Sequence, residues 1–173
     1  MAKRHIAPLV SDRIRLRLLD DADLPMTLAW RNQDHIRKWF FYSDVITPDR
    51  HRRWFEQYHH RDDDFVFVIE DLDTLKRPVG QASLYNIDWA SRRAEFGRLL
   101  IGDAAAHGLG LGTAATRLLV NEALTAWGLQ EVYLEVLQAN MPALAIYRAC
   151  GFHETARHGG VVALSKKANG ELT

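Results

Sequence analysis

The sequence has little of what would set it apart from an ordinary globular domain. It contains one cysteine, Cys150, which excludes an internal disulfide and a cysteine-based metal cluster. The 22 basic and 22 acidic residues give a formal net charge of zero, so neither a nucleic-acid partner nor a polybasic membrane contact is expected. No segment approaches the ~20 consecutive apolar residues that span a bilayer, and Met1 to Ile6 lack the apolar run of a signal peptide. These absences predict a cytoplasmic protein that uses no metal.

What is present fits a single domain. The 173 residues suffice for one domain with a buried core. Hydrophobic residues make up 47% and charged residues 25% of the chain, which is the usual balance for a folded protein. No internal repeat or low-complexity stretch is visible. We therefore expect residues 1–173 to form one domain.

The first third of the chain predicts one strand followed by two helices. Residues 13–19 alternate apolar and basic side chains, a pattern typical of a strand with one buried face. A helix that begins at a cap formed by Asp21 or Asp23 is expected to end near Arg31. A second helix follows Thr47, which is its predicted N-cap.

The rest of the chain predicts strands and helices in mixed order. Three apolar runs separated by polar turns are typical of an antiparallel meander, and a helix, a strand, a helix and two strands follow. The predicted ranges are strands 65–70, 79–87, 93–101 and 131–137, one strand that starts at 151 and one at 160–164, and helices from about 112 to 127 and from 142 to 149. This order indicates an α/β (α+β) domain with a mixed central sheet of about six or seven strands and helices on both faces.

A glycine-rich turn separates the strand at 93–101 from the helix that follows it. In the segment His107-Gly-Leu-Gly-Leu-Gly112, glycines let the backbone approach a ligand, and free N–H groups lie at the positive end of a helix. Such a place suits a phosphate or pyrophosphate, although a glycine-rich turn can also serve only to reverse the chain. A P-loop fits poorly because no lysine precedes Thr113. A dinucleotide-binding motif also fits poorly, because it belongs in the first strand-helix-strand unit and this segment follows four predicted strands.

Two motifs resemble those of the GNAT superfamily of N-acetyltransferases. His107-Gly-Leu-Gly-Leu-Gly112 is similar to the family's acyl-CoA pyrophosphate loop, Gln/Arg-x-x-Gly-x-Gly/Ala, with histidine where glutamine or arginine is usual. Asn140-Met-Pro-Ala-Leu-Ala-Ile-Tyr-Arg-Ala-Cys-Gly-Phe152 resembles the second signature, Asn-x-x-Ala-x-x-x-Tyr-x-x-x-Gly-Phe. The resemblance implies a GNAT-like fold with an acyl-CoA-binding core at about 93–152, and an N-acetyltransferase that uses acetyl-CoA as its cosubstrate.

The resemblance also implies how the cosubstrate is held. The strands at 98–101 and 132–137 are expected to splay apart, so that the pantetheine arm inserts between them and pairs with backbone groups. An N–H near Leu100 would then bind the thioester carbonyl. The residues expected to bind the cosubstrate are Leu100, Ile101, His107, Gly108, Gly110, Gly112, Thr113 and Asn140. The part played by His107 stays open, and Asn140 can equally be only a helix cap.

Acetyl transfer in this family is direct and forms no acyl-enzyme. Tyr147 is the expected general acid for the CoA sulfur, because a phenol with its ordinary pKa of about 10 stays protonated at neutral pH. The alternative is an amphipathic tyrosine that packs its helix onto the sheet. Glu95 is the expected general base, acting directly or through a water, or else an exposed strand glutamate. Cys150 is not needed and is expected to be a small buried hydrophobe.

The family builds its acceptor pocket mainly from the first two helices, here about residues 21–60. Between Trp30 and Arg61 the chain has seven Arg/Lys, four Asp/Glu and four histidines. A basic, aromatic-rich region favours an acceptor that carries negative charge, whereas a solvated helix face with core tryptophans is the alternative. The residues expected to bind the acceptor are Trp30, Arg31, His51 and Trp54.

Three classes of amine acceptor, small-molecule or peptide, follow from the resemblance. Trp30-Arg-Asn and His51-x-x-Trp-Phe look like elements of amino-sugar-nucleotide N-acetyltransferases of the pseudaminic-acid type. Arg92-Arg-Ala-Glu-Phe is similar to spermidine acetyltransferases and to ribosomal-protein N-terminal acetyltransferases. The amino-sugar nucleotide ranks first because a polycation should prefer an acidic pocket. A CoA-binding module without catalysis is the alternative from another class, and a homodimer is compatible with all of these.

Overall fold

The computed structural model describes residues 2–169, which form one open sheet with helices on both faces. The strands are β1 (Leu9–Val10), β2 (Ile14–Leu18), β3 (Phe65–Asp71), β4 (Arg77–Asp88), β5 (Arg93–Ile101), β6 (Glu131–Leu137), β7 (His153–His158) and β8 (Val161–Lys167). The α-helices are α1 (Leu24–Arg31), α2 (Asp34–Arg37), α3 (Pro48–Tyr58), α4 (Leu111–Leu124) and α5 (Met141–Ala149). Two short 3-10 turns, Asp21–Asp23 and Ala104–Ala106, precede α1 and α4. Within residues 2–169, every helix is too short or too polar to cross a membrane.

The strand order is β1-β2-β3-β4-β5-β6-β8-β7. Neighbours from β1 to β5 are antiparallel, which confirms the predicted meander. β5 and β6 are parallel, and α4 makes the crossover connection that a parallel pair needs. β8 then inserts antiparallel between β6 and β7. The sheet is therefore mixed, and the strand that begins at its parallel junction, β5, leads at its other end toward the glycine-rich turn.

β3 shows how the two faces of the sheet are covered. Its residues Phe65, Phe67 and Ile69 belong to the larger core, which also contains side chains of α4 and α5. Val66 and Val68 point the other way and pack with side chains of α1 and α3 in a second core. All five are at most 1% exposed. A strand buried on both faces reads as a continuous apolar run, and this is why residues 65–70 carry no alternation.

The caps agree with the sequence at two helices and differ at a third. Thr47 Oγ1 accepts from Arg50 N at 3.2 Å, and Asn140 Oδ1 accepts from Ala143 N at 3.3 Å. Asp23 occupies the N-cap position of α1, as one of the two predicted residues, but makes no side-chain cap hydrogen bond there, and Asp20 caps the 3-10 turn that precedes α1. The Asp23 carboxylate instead accepts from Asp20 N and pairs with the guanidinium of Arg17 at 2.7 Å.

The sheet has eight strands, where about six or seven were predicted. The additional strand is β1, whose two residues are too few to show any periodicity. The helix expected from about 112 to 127 begins at Leu111 and ends at Leu124, because Thr125 leaves helical geometry with φ −114° and ψ −83°. The four-residue α2 was not predicted.

We expect Leu119→Ala to lower the free energy of unfolding by roughly 2–5 kcal/mol, because the substitution leaves a cavity beneath α4. Leu119 is fully buried. Urea unfolding would measure the change. Leu118→Ala, one residue away and only partly buried, is the matched control, and an equal loss in both variants would contradict this account of the core.

Candidate active site

β5 and β6 separate soon after they begin. Their parallel pairing covers Arg93 with Glu131, Ala94 with Val132 and Glu95 with Tyr133. β6 continues to pair with β8 as far as Leu137. From Phe96 onward, β5 therefore presents N–H and C=O groups along an open V, and an extended chain can pair with such an edge. The expected splay at 98–101 and 132–137 is present, with residues 132 and 133 still paired.

A β-bulge lies in β5 beside this V. Gln81 of β4 pairs with Leu100, but Ser83 pairs with Gly97, so β5 gains one residue on β4 over this stretch. Arg98 lies inside the bulge with φ 52°, a left-handed conformation that is uncommon for a residue other than glycine. Bulges redirect side chains next to functional sites. Here the bulge is immediately before Leu100, the residue expected to serve the thioester carbonyl.

The glycine-rich turn ends in an open helix N-terminus. Gly110 is the N-cap of the 14-residue α4, with φ 75° and no side-chain cap. The first N–H groups of α4, on Leu111, Gly112 and Thr113, have no partner within the helix. A Cβ at Gly108, whose φ is 80°, would meet no atom within 4 Å. Free donors beside open space fit the pyrophosphate of acyl-CoA.

His107 holds this turn against the end of β5. Its Nε2 lies 3.0 Å from the carbonyl oxygen of Ile101, which requires the tautomer with a proton on Nε2. From the other side, the Arg13 guanidinium donates to the carbonyl oxygen of Leu109. The His107 ring also lies edge-on to the ring of His35 on α2, with centroids 6.3 Å apart, so it ties the turn to both β5 and α2. Its part in CoA binding stays a prediction.

Tyr147 is on α5 and packs against β5 where that strand leaves β6. It is 6% exposed, and its ring packs edge-on against Phe96 and Phe152 with centroids 6.0 and 5.9 Å away. Burial raises the pKa of this phenol above its ordinary value, so it is neutral and able to donate throughout the neutral range. Asn140, on the same helix, has the N-cap contact as its observed role.

Glu95 stands at the apex of the V, as the last β5 residue that pairs with β6. Its Oε2 accepts from Asn86 Nδ2 at 2.8 Å. Burial, followed by the charge of Glu95, raises the pKa of the neighbouring Tyr85 phenol. The residue is half-buried, and a carboxylate held by a polar neighbour suits a proton acceptor.

A cavity of about 310 Å³ lies between the sheet and helices α1 and α3. Its ionisable lining residues are Arg31, Arg50, His51 and Arg98, and its aromatic ones are Phe40, Tyr42 and Trp54. Among residues 2–169, the lining includes no aspartate or glutamate. Three of the four residues predicted to bind the acceptor therefore meet in one cavity.

Trp30, the fourth, lies elsewhere. Its ring packs on the backbone at the end of β5, so closely that a Cβ on Gly102 would be 2.0 Å from the ring. The next residue, Arg31, does reach the cavity. Trp30 fixes α1 to the strand that leads into the glycine-rich turn. Its predicted contact with an acceptor stays untested.

Sequence reasoning missed Arg98 and its partner. The Arg98 guanidinium pairs with Asp64 at 2.7 Å, and Asp64 is 1% exposed. The same guanidinium lies 4.2 Å from the centroid of the Tyr85 ring. The available signal was Gly97, since a lone glycine inside a strand pattern suggests a bulge that re-aims its neighbour. Gln81, on β4 opposite the bulge, was also missed.

Comparison with known proteins agrees with this geometry. Residues 13–153 match the family model described as the acetyltransferase (GNAT) domain. The chain is 27% identical to the spermidine N(1)-acetyltransferase of Vibrio cholerae serotype O1 over 149 residues, which cover 84% of this chain and 82% of that protein.

Two solved structures share the fold. One is the spermidine N-acetyltransferase from Vibrio cholerae in complex with CoA and spermine, with TM-score 0.81, 23% identity, and 91% of this chain and 97% of that chain covered. The other is the ribosomal-protein-S5-alanine acetyltransferase from Vibrio fischeri, with TM-score 0.77, 18% identity, and 95% and 98% covered.

The family match extends well beyond the two motifs and includes most of the first half of the chain. Within residues 2–169 no three His, Cys, Asp or Glu side chains are grouped to hold a metal ion. The chain belongs to the GNAT acetyltransferase family, and it is an N-acetyltransferase with acetyl-CoA as its cosubstrate.

Proposed function

We propose that the protein transfers the acetyl group directly to the primary amine of an acceptor that also carries negative charge, and that an amino-sugar nucleotide is the first candidate. The observation that carries the proposal is the position of β5. One edge of this strand lines the V, while its bulge sends Arg98 into the cavity under α1 and α3. An amine in the cavity would therefore meet a thioester in the V across a single strand.

The proposed chemistry uses three groups of this chain. Glu95 takes a proton from the ammonium group, through a water, so that the neutral nitrogen can form its bond to the thioester carbonyl carbon. A backbone N–H near Leu100 stabilises the oxyanion. As the carbon–sulfur bond breaks, Tyr147 donates its phenolic proton to the sulfur, and CoA leaves as the thiol. The nitrogen, cationic since it bonded to carbon, then releases its second proton through water to the Tyr147 phenolate, which gives the neutral amide and restores the phenol.

The charge of the cavity supports an anionic acceptor. Three arginines and His51 line it, and within residues 2–169 Arg98 is the only one of these arginines with a carboxylate partner, Asp64. A volume of about 310 Å³ is at the lower end for a ligand site, so it accommodates a sugar-sized part of the acceptor, with the remainder outside. The aromatic lining offers faces for a ring.

A polyamine is the second candidate, and relatives support it. A relative with 27% identity is named a spermidine N(1)-acetyltransferase. A cationic acceptor would, however, enter a cavity whose lining is basic. The ribosomal N-terminal acceptor, the non-catalytic CoA-binding role, the single domain over residues 1–173, the cytoplasmic location and the homodimer all stay predictions.

Acceptor choice is tested by thiol release from acetyl-CoA with three amines in parallel: a UDP-linked 4-amino sugar, spermidine, and a peptide with a free N-terminus. We expect release with the sugar nucleotide. Release with spermidine alone would replace our acceptor by a polyamine, and release with the peptide alone would favour a ribosomal N-terminus. If CoA binds but no thiol appears with any acceptor, a CoA-binding role without chemistry gains weight.

We expect Tyr147→Phe to lower kcat by roughly 10²-fold, because the departing sulfur loses its proton donor while the ring stays packed on Phe96. CoA affinity, measured by calorimetry on the same variant, should stay within about twofold of wild type, since the phenyl ring is retained. Equal turnover in both proteins would remove Tyr147 from the mechanism.

Glu95→Gln should lower kcat/KM by roughly 10²-fold near neutral pH, because the ammonium group loses its proton acceptor. Glutamine keeps an oxygen for the Asn86 contact. A rate measured from pH 7 to about 9.5 should recover in the variant as the amine deprotonates in solution. A parallel loss at every pH would indicate that Glu95 acts only through packing.

A further inference from the structure

Three buried side-chain polar atoms among residues 2–169 have no hydrogen-bond partner, and two of them are on residues that line the cavity. These two are Nη1 of Arg31 on α1 and Nε2 of His51 on α3. The third, Ser83 Oγ, is on β4 and is not part of the lining. Buried polar groups in folded proteins are nearly always paired, so a pair of unpaired donors in one cavity points to a ligand.

Arg31 is the stronger of the two observations. The residue is 9% exposed, its guanidinium lies 3.9 Å from the centroid of the Phe40 ring, and its other terminal nitrogen donates to the carbonyl oxygen of Tyr42. In the part of the chain that the structure describes, no carboxylate forms an ion pair with it. A buried guanidinium cannot lose its proton, so it needs an anion from elsewhere.

His51 is the second cavity residue with an unpaired nitrogen. Its ring stacks on Trp54 with centroids 5.4 Å apart and an interplanar angle of 14°, which fixes the direction of Nε2. Burial, and then the charge of Arg52, lower the pKa of His51, so the ring is neutral at pH 7. A neutral imidazole with its proton on Nε2 donates one hydrogen bond to an oxygen.

We propose that Arg31 Nη1 and His51 Nε2 form a subsite for one oxyanion, a phosphate or carboxylate, of the acceptor. The inference rests on the proposed function and narrows its substrate class to primary amines that carry such a group. Arg31 and His51 are on the helix side of the cavity, and Gln81 and Arg98 are on the sheet side. The oxyanion would thus be held by α1 and α3 while the amine faces the bulge in β5. A polyamine has nothing to offer this subsite.

Direct binding tests the subsite without acetyl transfer. The full chain would be saturated with CoA, so that the glycine-rich turn is occupied, and titrated by calorimetry with inorganic phosphate, UMP, succinate and spermidine. We expect binding of at least one anion and none of spermidine. Phosphate and UMP against succinate distinguish a phosphate from a carboxylate. Absence of anion binding to the CoA-loaded wild type, or binding of spermidine alone, would overturn the proposal.

Variants assign the binding to named atoms. Arg31→Met should lower the affinity for the anion at least tenfold. His51→Phe, which keeps a ring stacked on Trp54, should lower it several-fold. Arg53→Met is the matched control, because it removes an exposed cation from α3, the helix that carries His51. It should leave the affinity for the anion unchanged. Equal weakening in Arg31→Met and Arg53→Met would mean attraction by overall charge and would contradict a subsite.

Two further measurements separate the outcomes. The anion should raise the melting temperature of the CoA-loaded wild type but not of Arg31→Met, and the ligand-free melting curve shows whether the variant is folded. An amine without any anionic group could be acetylated as fast as an anionic acceptor, at a rate that Arg31→Met does not change. That result would contradict the subsite but not the acetyltransferase activity. Anion binding without acetyl transfer to any amine would support the subsite and contradict the proposed function.

Discussion

β5 hydrogen-bonds to β6 over only its first three residues and then departs, and the remaining features of the site depend on that departure. Because β6 stays paired to β8, the gap persists as an open edge rather than closing into a continuous sheet. The bulge in the same strand directs the Arg98 side chain into the cavity under α1 and α3. The 3-10 turn Ala104–Ala106 and the glycine-rich turn follow β5 and lead into α4, whose first N–H groups have no partner within the helix. A cosubstrate and an acceptor can thus approach one strand from two sides.

The two arginines Arg98 and Arg31, which both line the cavity, differ in how their charges are balanced. Arg98 is held by the buried carboxylate of Asp64, so its position is fixed and its charge is balanced. Arg31 has an aromatic ring and a carbonyl oxygen as neighbours, with no balancing carboxylate in the described part of the chain. An unpaired buried charge destabilises a fold, and a bound anion would offset that cost. The contrast between the two arginines separates a structural ion pair from a site prepared for an anion.

Much of the fold was predictable because the signals are local. Alternation, turn residues and the N-caps Thr47 and Asn140 need only a few neighbouring residues to act. The errors fall where local signals are weak: β1 has two residues, α2 has four, and Asp20 competes with two other aspartates for one cap. His51 and Trp54 lie on one face of α3, as predicted, because residues three apart share a helix face, while their contact with an acceptor stays a prediction.

The sequence by itself determined the family, through two motifs in a fixed order, together with the meander and the positions of Tyr147 and Glu95 on their elements. Only the tertiary structure decided what lines the acceptor cavity. Trp30 and Arg31 are neighbours, but successive helix residues point about 100° apart, so one packs on Gly102 and the other enters the cavity. Arg98 joins Arg31 there because a bulge, set by the register between β4 and β5, turns it inward. Gly97 signals a bulge locally, but the register and the direction of each side chain depend on contacts between residues that are distant in the sequence.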